Sequence, residues 1–181
     1  VAQCEQCQRQ ASLIIETVRI AALHTDPLRQ AIHAFKYDGR RELAEPLARY
    51  LVALSQTLPD QARLRTVDGV APVPLYSTRR QERGYNQAEL LASAFCRSVQ
   101  LPLCSTWLIR QRSTQSQVGL TAAERQQNVQ DAFVATSAVS GKSLLLIDDV
   151  YTTGATMRAC AQAAMKAGAK AVYGLALACP R

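Results

Sequence analysis

No stretch of this 181-residue chain approaches the apolar length that crosses a bilayer, and its start lacks the basic-then-apolar pattern of an export signal. A cytoplasmic protein is expected. Histidine is scarce: the only two are His24 and His33, separated from the cysteines and lying in segments with their own helical explanation. There is no disulfide framework either. Of the six cysteines, only Cys4 and Cys7 have ligand-like spacing, while Cys96, Cys104, Cys160 and Cys179 sit among apolar or small residues as ordinary buried thiols do. The P-loop is missing as well. Gly141, Lys142 and Ser143 read GKS, but position 136 is Thr136 rather than glycine and the tripeptide precedes a strand instead of following one.

CEQC supplies half of a tetrahedral zinc site, which needs four ligands. The chain opens on Val1, so upstream sequence is expected, and Zn²⁺ is expected only if a second cysteine pair lies there. Acidic residues are also in deficit: 14 Asp and Glu stand against 21 Lys and Arg, a formal charge of +7. That balance suits an acidic partner, nucleic acid or a phosphorylated metabolite, and equally suits simple solubility. With 48% hydrophobic residues the chain is long enough for one well-buried core and too short for two ordinary domains.

Along the chain, an ambiguous apolar stretch, SLIIETVRIAAL, precedes a helix expected from about Asp26 and Pro27, with Asp26 as cap and Leu28, Ile32 and Phe35 on one side. A second helix is expected from about Glu42 to Ser55, and a strand around Val67 to Val73. STRRQERGY reads as a polar loop leading to Asn86, which caps a helix through QAELLASAFCRSV. Residues 100–135 are mostly polar, and TAAERQQN within them offers a capping box from Thr121 to Glu124. Trp107 reads as an anchor at the edge of the core, and Met157 and Met165 as core filler. SLLLIDD is a buried strand, TGATMRACAQAAMKAGAK a helix stopped at Gly168, and AVYGLALAC another strand. Strand, helix, strand at this spacing makes a βαβ unit and a sheet that is mostly parallel.

Ligands of such sheets bind beyond the carboxyl ends of the strands, where Asp148 to Thr156 fall. Thr152, Thr153, Gly154 and Thr156 at a helix start offer phosphate its hydroxyls, backbone N–H groups and dipole. Two successive carboxylates would repel a bare phosphate unless they served another part of the ligand or a metal ion. Asp148 and Asp149 therefore point to a ligand with both hydroxyls and phosphate, with Mg²⁺ expected beside it.

LLLIDDVYTTGAT resembles the signature of the phosphoribosyltransferase fold. The resemblance implies that Asp148 and Asp149 meet the ribose hydroxyls and metal of phosphoribosyl pyrophosphate, while Tyr151, Thr152, Thr153, Gly154, Ala155 and Thr156 form the loop around its 5'-phosphate. HAFKYDGRRELAEPLA, APVPLYSTRRQERGYNQAELLA and RQRSTQSQVGLTAAERQQNVQDAF extend the likeness to the ComF family of competence-associated proteins and its GntX-type relatives, over most of residues 28–178. The fold implied is α/β, type I phosphoribosyltransferase-like, a mostly parallel sheet flanked by helices. Residues 1–26 become the remnant of a cysteine-rich, zinc-finger-like segment and linker, and 27–181 the phosphoribosyltransferase-like domain.

The resemblance puts Val73 to Arg80 at the pyrophosphate end, with Arg79, Arg83, Gly84, Asn86 and Gln87 around it; arginine forks do pair well with phosphate oxygens, although a solvated basic loop has the same composition. It makes Arg110 to Gln117, with Arg112, Thr114 and Gln115, a hood over the ligand. An exposed basic loop could equally track a nucleic-acid backbone, and Arg125 and Asn128 share its polar block. Lys36 and Tyr37 match a family motif without an assigned role: the first reads as solvated, the second as cover for the core edge. Function implied in this way is a competence protein of DNA uptake that binds phosphoribosyl pyrophosphate, with single-stranded DNA and other uptake proteins as partners. The alternative is an active transferase that passes phosphoribose to a nitrogen acceptor and releases pyrophosphate. Fold does not decide between them.

Overall fold

The computed structural model describes residues 14–57, 62, 64–112 and 131–180. Its strands are β1 (Thr17–Leu23), β2 (Gly69–Pro72), β3 (Leu108–Arg110), β4 (Phe133–Ala135), β5 (Ser143–Val150) and β6 (Ala171–Cys179). Its α-helices are α1 (Leu28–Tyr37), α2 (Ala44–Ser55), α3 (Ser77–Arg83), α4 (Gln87–Val99) and α5 (Ala155–Lys166). Four strands form one sheet in the order β1-β6-β5-β2, and every pairing is parallel. All four carboxyl ends therefore lie along one edge. The remaining two, β3 and β4, make a separate antiparallel pair.

Leu144, Leu145, Leu146 and Ile147 are all buried, as a strand covered on both faces requires. Side chains alternate across β5, so Leu145 and Ile147 pack with Ile32 and Phe35 of α1, Leu51 of α2, and Leu91 and Phe95 of α4. Leu144 and Leu146 face the other way, against Met157, Cys160, Ala161 and Ala164 of α5 and against Leu108 and Phe133 of the β3-β4 pair. The run of small residues on α5 lets that helix lie close to the sheet. Trp107 packs against this second layer, as an edge anchor should.

The strand-helix-strand unit of β5, α5 and β6 stands where expected, and Gly168, at φ +90°, ends the helical stretch. Leu28, Ile32 and Phe35 form the buried face of α1. Asp26 does not cap that helix; it pairs with Arg29 at 2.9 Å instead. The residues STRRQER, expected as loop, form α3, which starts after extended Tyr76 and ends on left-handed Gly84. The ambiguous stretch before residue 27 contains β1, the outer strand beside β6, so the α/β unit begins ahead of the boundary drawn there from the sequence. Met157 is core filler, but Met165 is exposed because it falls on the outer side of α5.

Two polar anchors fix the carboxyl edge. Asn86 caps α4 through its Oδ1, which accepts from the Ala88 N–H at 3.1 Å, while its Nδ2 donates to the Val73 carbonyl at 3.0 Å. One side chain thus ties the end of β2 to the start of α4. Tyr85, 5% exposed, donates its hydroxyl to the Phe35 carbonyl and so holds the last turn of α1 against the same segment. Tyr85→Phe leaves that carbonyl without its donor and is expected to lower stability by about 1–2 kcal/mol in urea denaturation with an unchanged m-value. A loss within experimental error would remove this anchor from the account.

Candidate functional site

The last pairing of β2 is Pro72 with Ile147, whereas β5 and β6 stay paired through Asp148 and Val150. Asp148 and Asp149 therefore project past the end of β2. The Tyr151 N–H donates to the Ala178 carbonyl at 2.8 Å, and the chain then curls back into α5. Gly154, at φ +74°, is the turning point; a Cβ there would run into the Tyr151 hydroxyl. Glycine is required on both counts. The Ala155 N–H donates to Thr153 Oγ1 at 3.4 Å, and Arg158 donates to the Thr153 carbonyl at 2.8 Å. The result is a hydroxyl-bearing loop seated on the positive end of a 12-residue helix.

The two carboxylates alternate along β5 but meet beyond its apolar run, with a side-chain hydrogen bond between them. Asp149 is 8% exposed and continues the face of Leu145 and Ile147, where Lys36 Nζ lies 2.8 Å from its Oδ2. Asp148 continues the face of Leu144 and Leu146, accepts from the Asp149 backbone N–H at 2.8 Å, and interacts electrostatically with Arg110 and Cys160. Burial, then the charge of Asp149, pushes the Asp148 carboxyl up to about 7. For Lys36, burial pulls the pKa down, but the charge and hydrogen bond of Asp149 outweigh it and hold the ammonium above its ordinary value. Burial, then Lys36 and Arg29, holds His24 below its ordinary value.

Because STRRQER is helical, Arg79 and Arg83 share one side of α3. With Lys36, Tyr37, Gly39 and Glu82 they line a cavity of about 480 Å³. Arg80 turns away to Glu89 at 3.0 Å. The Arg83 guanidinium lies over the Tyr37 ring, 5.0 Å from its centroid. Lys36 and Tyr37 also border a second cavity, about 760 Å³, with His24, Gln30, His33 and Val150. Arg110 is half-buried over the Phe133 ring, and Arg112 is exposed. Gln87 is buried, and its Nε2 has no hydrogen-bond partner among the described residues.

The structure thus brings Asp148, Asp149, the 151–156 loop, Arg79, Arg83 and Arg110 to one edge of the sheet. Asn86 serves the fold there, and Gly84 is the left-handed stop of α3, its carbonyl accepting from Arg41 at 3.0 Å. Lys36, expected as solvated, is instead largely buried against Asp149, a partner too distant along the chain for local pattern to reveal. Tyr37 does not cover the core: it is 59% exposed and carries Arg83 on its ring. Cys4, Cys7, Thr114, Gln115, Gln117, Arg125 and Asn128 lie outside the described residues.

These residues do not fit a resident Mg²⁺ centre. An ammonium already sits on Asp149, and among the described residues no group of three or more His, Cys, Asp or Glu is gathered to hold a metal ion. No helix among the described residues is long and apolar enough to cross a membrane.

No family model matches the chain. Competence protein F of Haemophilus influenzae is 32% identical over 180 residues, covering 97% of this chain and 78% of that protein. This chain belongs to the competence protein F family. A further relative is DNA utilization protein YhgH of Escherichia coli K12, 34% identical over 149 residues, which cover 82% of this chain and 66% of that protein. Among solved structures, the glutamine phosphoribosylpyrophosphate amidotransferase from B. subtilis complexed with ADP and GMP is similar with a TM-score of 0.46 and 21% identity, over 77% of this chain and 26% of that one. In this family member the expected α/β architecture, a mostly parallel sheet flanked by helices, is the one found.

The raised Asp148 carboxyl gives a signed pH effect. It binds a proton more readily folded than unfolded, so its contribution to stability is complete below the ordinary 3.8 and is lost as pH rises through about 7. Asp148→Asn removes that loss. Its melting temperature relative to the parent chain is expected to improve by several degrees between about pH 5 and about pH 8. A difference that does not change with pH would show that the carboxyl is ionised at no cost.

Proposed function

We propose that this chain acts in the handling of DNA taken up or used by the cell, as the names of its relatives indicate, and that the cleft at the carboxyl edge of its sheet binds phosphoribosyl pyrophosphate. The observation that carries this reading is the convergence of three unlike groups on one edge. These are a hydroxyl-glycine loop on a helix start, an acid pair just before it, and two arginines on one side of α3.

Each group suits a different part of that ligand. The 152–156 loop offers backbone N–H groups and hydroxyls to the 5'-phosphate without a side chain in the way at Gly154. Asp148 and Asp149, as acceptors, suit ribose hydroxyls. Arg79 and Arg83 offer paired forks to the pyrophosphate. Mg²⁺ enters this reading as a companion of the pyrophosphate, since it keeps most of its waters and takes substrate phosphates as ligands. Zn²⁺ would belong to the Cys4 and Cys7 segment only with a second cysteine pair upstream of Val1.

The second reading, an active phosphoribosyltransferase, is favoured by the cavity of about 760 Å³ on the β1 side of Lys36. Displacement at the ribose C1 requires a nucleophile on the side away from the departing pyrophosphate. With the pyrophosphate taken by Arg79 after β2, the cavity beside His24 after β1, at the other outer strand, would be the one to receive the acceptor. Bond formation from the acceptor nitrogen to C1, with departure of pyrophosphate, would be assisted by orientation and by charge stabilisation from the arginines. Single-stranded DNA is the partner that the +7 charge suits.

Calorimetric titration with phosphoribosyl pyrophosphate and Mg²⁺ tests the site. Binding is expected for the parent chain and a loss of at least about tenfold for the folded Asp148→Asn, Asp149→Asn double variant. Equal affinity in both would remove the acid pair from the site. Single-stranded DNA binding, measured in parallel, is expected to survive the double substitution and to weaken steeply with salt. Loss of DNA binding in the double variant would instead place the nucleic acid in the cleft.

A further inference from the structure

Two acids beside a phosphate loop ordinarily demand a metal ion to cancel their charge. Here a cation of the chain already stands in that role. The Lys36 ammonium, with a side chain 20% exposed, sits 2.8 Å from Asp149 Oδ2 on one face of the sheet. The same ammonium acts electrostatically on Asp148, so the two acids share one counter-charge.

Lys36 is also placed rather than merely present. It lies in the last turn of α1, where the helix dipole favours a cation. Its neighbour Phe35 is fully buried, and the Phe35 carbonyl is held by the Tyr85 hydroxyl. Those contacts fix the backbone from which the ammonium reaches Asp149.

We propose that Lys36 is the resident counter-ion of the acid pair, so that this chain binds the ribose 5-phosphate part of its ligand without a divalent metal ion. The inference rests on the cleft being the phosphoribosyl pyrophosphate site. It confines any Mg²⁺ requirement to the pyrophosphate. A carboxylate holds more lone-pair sites than one ammonium uses, so Asp149 keeps capacity for a ribose hydroxyl while paired to Lys36. The 5'-phosphate then approaches a locally neutral cluster instead of two bare negative charges.

Ribose 5-phosphate, which lacks the pyrophosphate, is the probe. Calorimetric titrations would be run in EDTA and in excess Mg²⁺ on the full chain, on Lys36→Met and on Lys36→Arg, with folding checked by circular dichroism. The parent chain is expected to bind with the same affinity in both buffers, within about twofold. Lys36→Met is expected to lose at least about tenfold in EDTA and to recover part of it with Mg²⁺, while Lys36→Arg stays metal-independent. Should the Met variant fail to fold, the parent and Arg titrations still decide. Ribose 5-phosphate binding that requires Mg²⁺ in the parent chain, or that is unchanged in folded Lys36→Met, overturns the role of Lys36 and leaves the site itself standing. Absence of binding to both ribose 5-phosphate and phosphoribosyl pyrophosphate overturns the site and this inference together.

Discussion

The ion pair between Lys36 and Asp149 joins the end of α1 to the end of β5, and the geometry of the candidate site depends on it. Desolvating two charges is costly, and a pair of this kind often stabilises a fold no more than apolar residues of equal size would. Removing one partner is another matter, because the survivor is left charged in a poor solvent at a cost of about 3–5 kcal/mol. An ion pair at the carboxyl edge of a parallel sheet, beside two cavities and a phosphate-type loop, is therefore better explained by what the edge must bind than by stability.

Burial of both sheet faces produces the site's electrostatics. An apolar run such as Leu144 to Ile147 needs cover on each side, Leu145 toward α1 and Leu144 toward α5, and the strand carries the two acids out of that cover at the carboxyl edge. Lys36, from the α1 layer, meets Asp149 directly and acts on Asp148 as well. Burial and then the adjacent charge of Asp149 drive Asp148 toward its neutral form.

Much of this was legible in the sequence, for physical reasons that vary by element. The β5-α5-β6 unit carries its information locally: continuous apolar residues, a glycine that must turn left-handed, small residues at helical spacing and a glycine stop. Asn86 is a local signal too, because a cap acts within its own first turn. By contrast α3 has no buried residue and no apolar stripe, so periodicity carries no trace of it; its caps, extended Tyr76 and left-handed Gly84, were the available evidence. β1 alternates weakly because it is a half-buried edge strand. Lys36 was hidden for a different reason. Its partner lies far along the chain, and a lysine next to a core phenylalanine is in most helices simply solvated.

The seam between α1 and α3 shows why those misses belong together. Arg83 lies over the Tyr37 ring, Arg41 donates to the Gly84 carbonyl and lies over the Tyr85 ring, and Tyr85 in turn donates to the Phe35 carbonyl. Each contact crosses from the end of α1 or the turn after it to α3 or the turn beyond. The arginines that suit pyrophosphate and the lysine that serves the acid pair are thus held on one connected strip of structure. Its cation-π contacts sit at the surface and are individually weak, about 0.5–1 kcal/mol each. The hydrogen bond of buried Tyr85 is the firmer link. Reading α3 as a loop removes the side on which Arg79 and Arg83 line up, and with it the reason for an exposed Tyr37 to stand between them and Lys36. Once α3 is a helix, Lys36 acquires both of its neighbours, the basic pocket on the β2 side and the larger cavity on the β1 side, and its pairing with Asp149 becomes the hinge between the two.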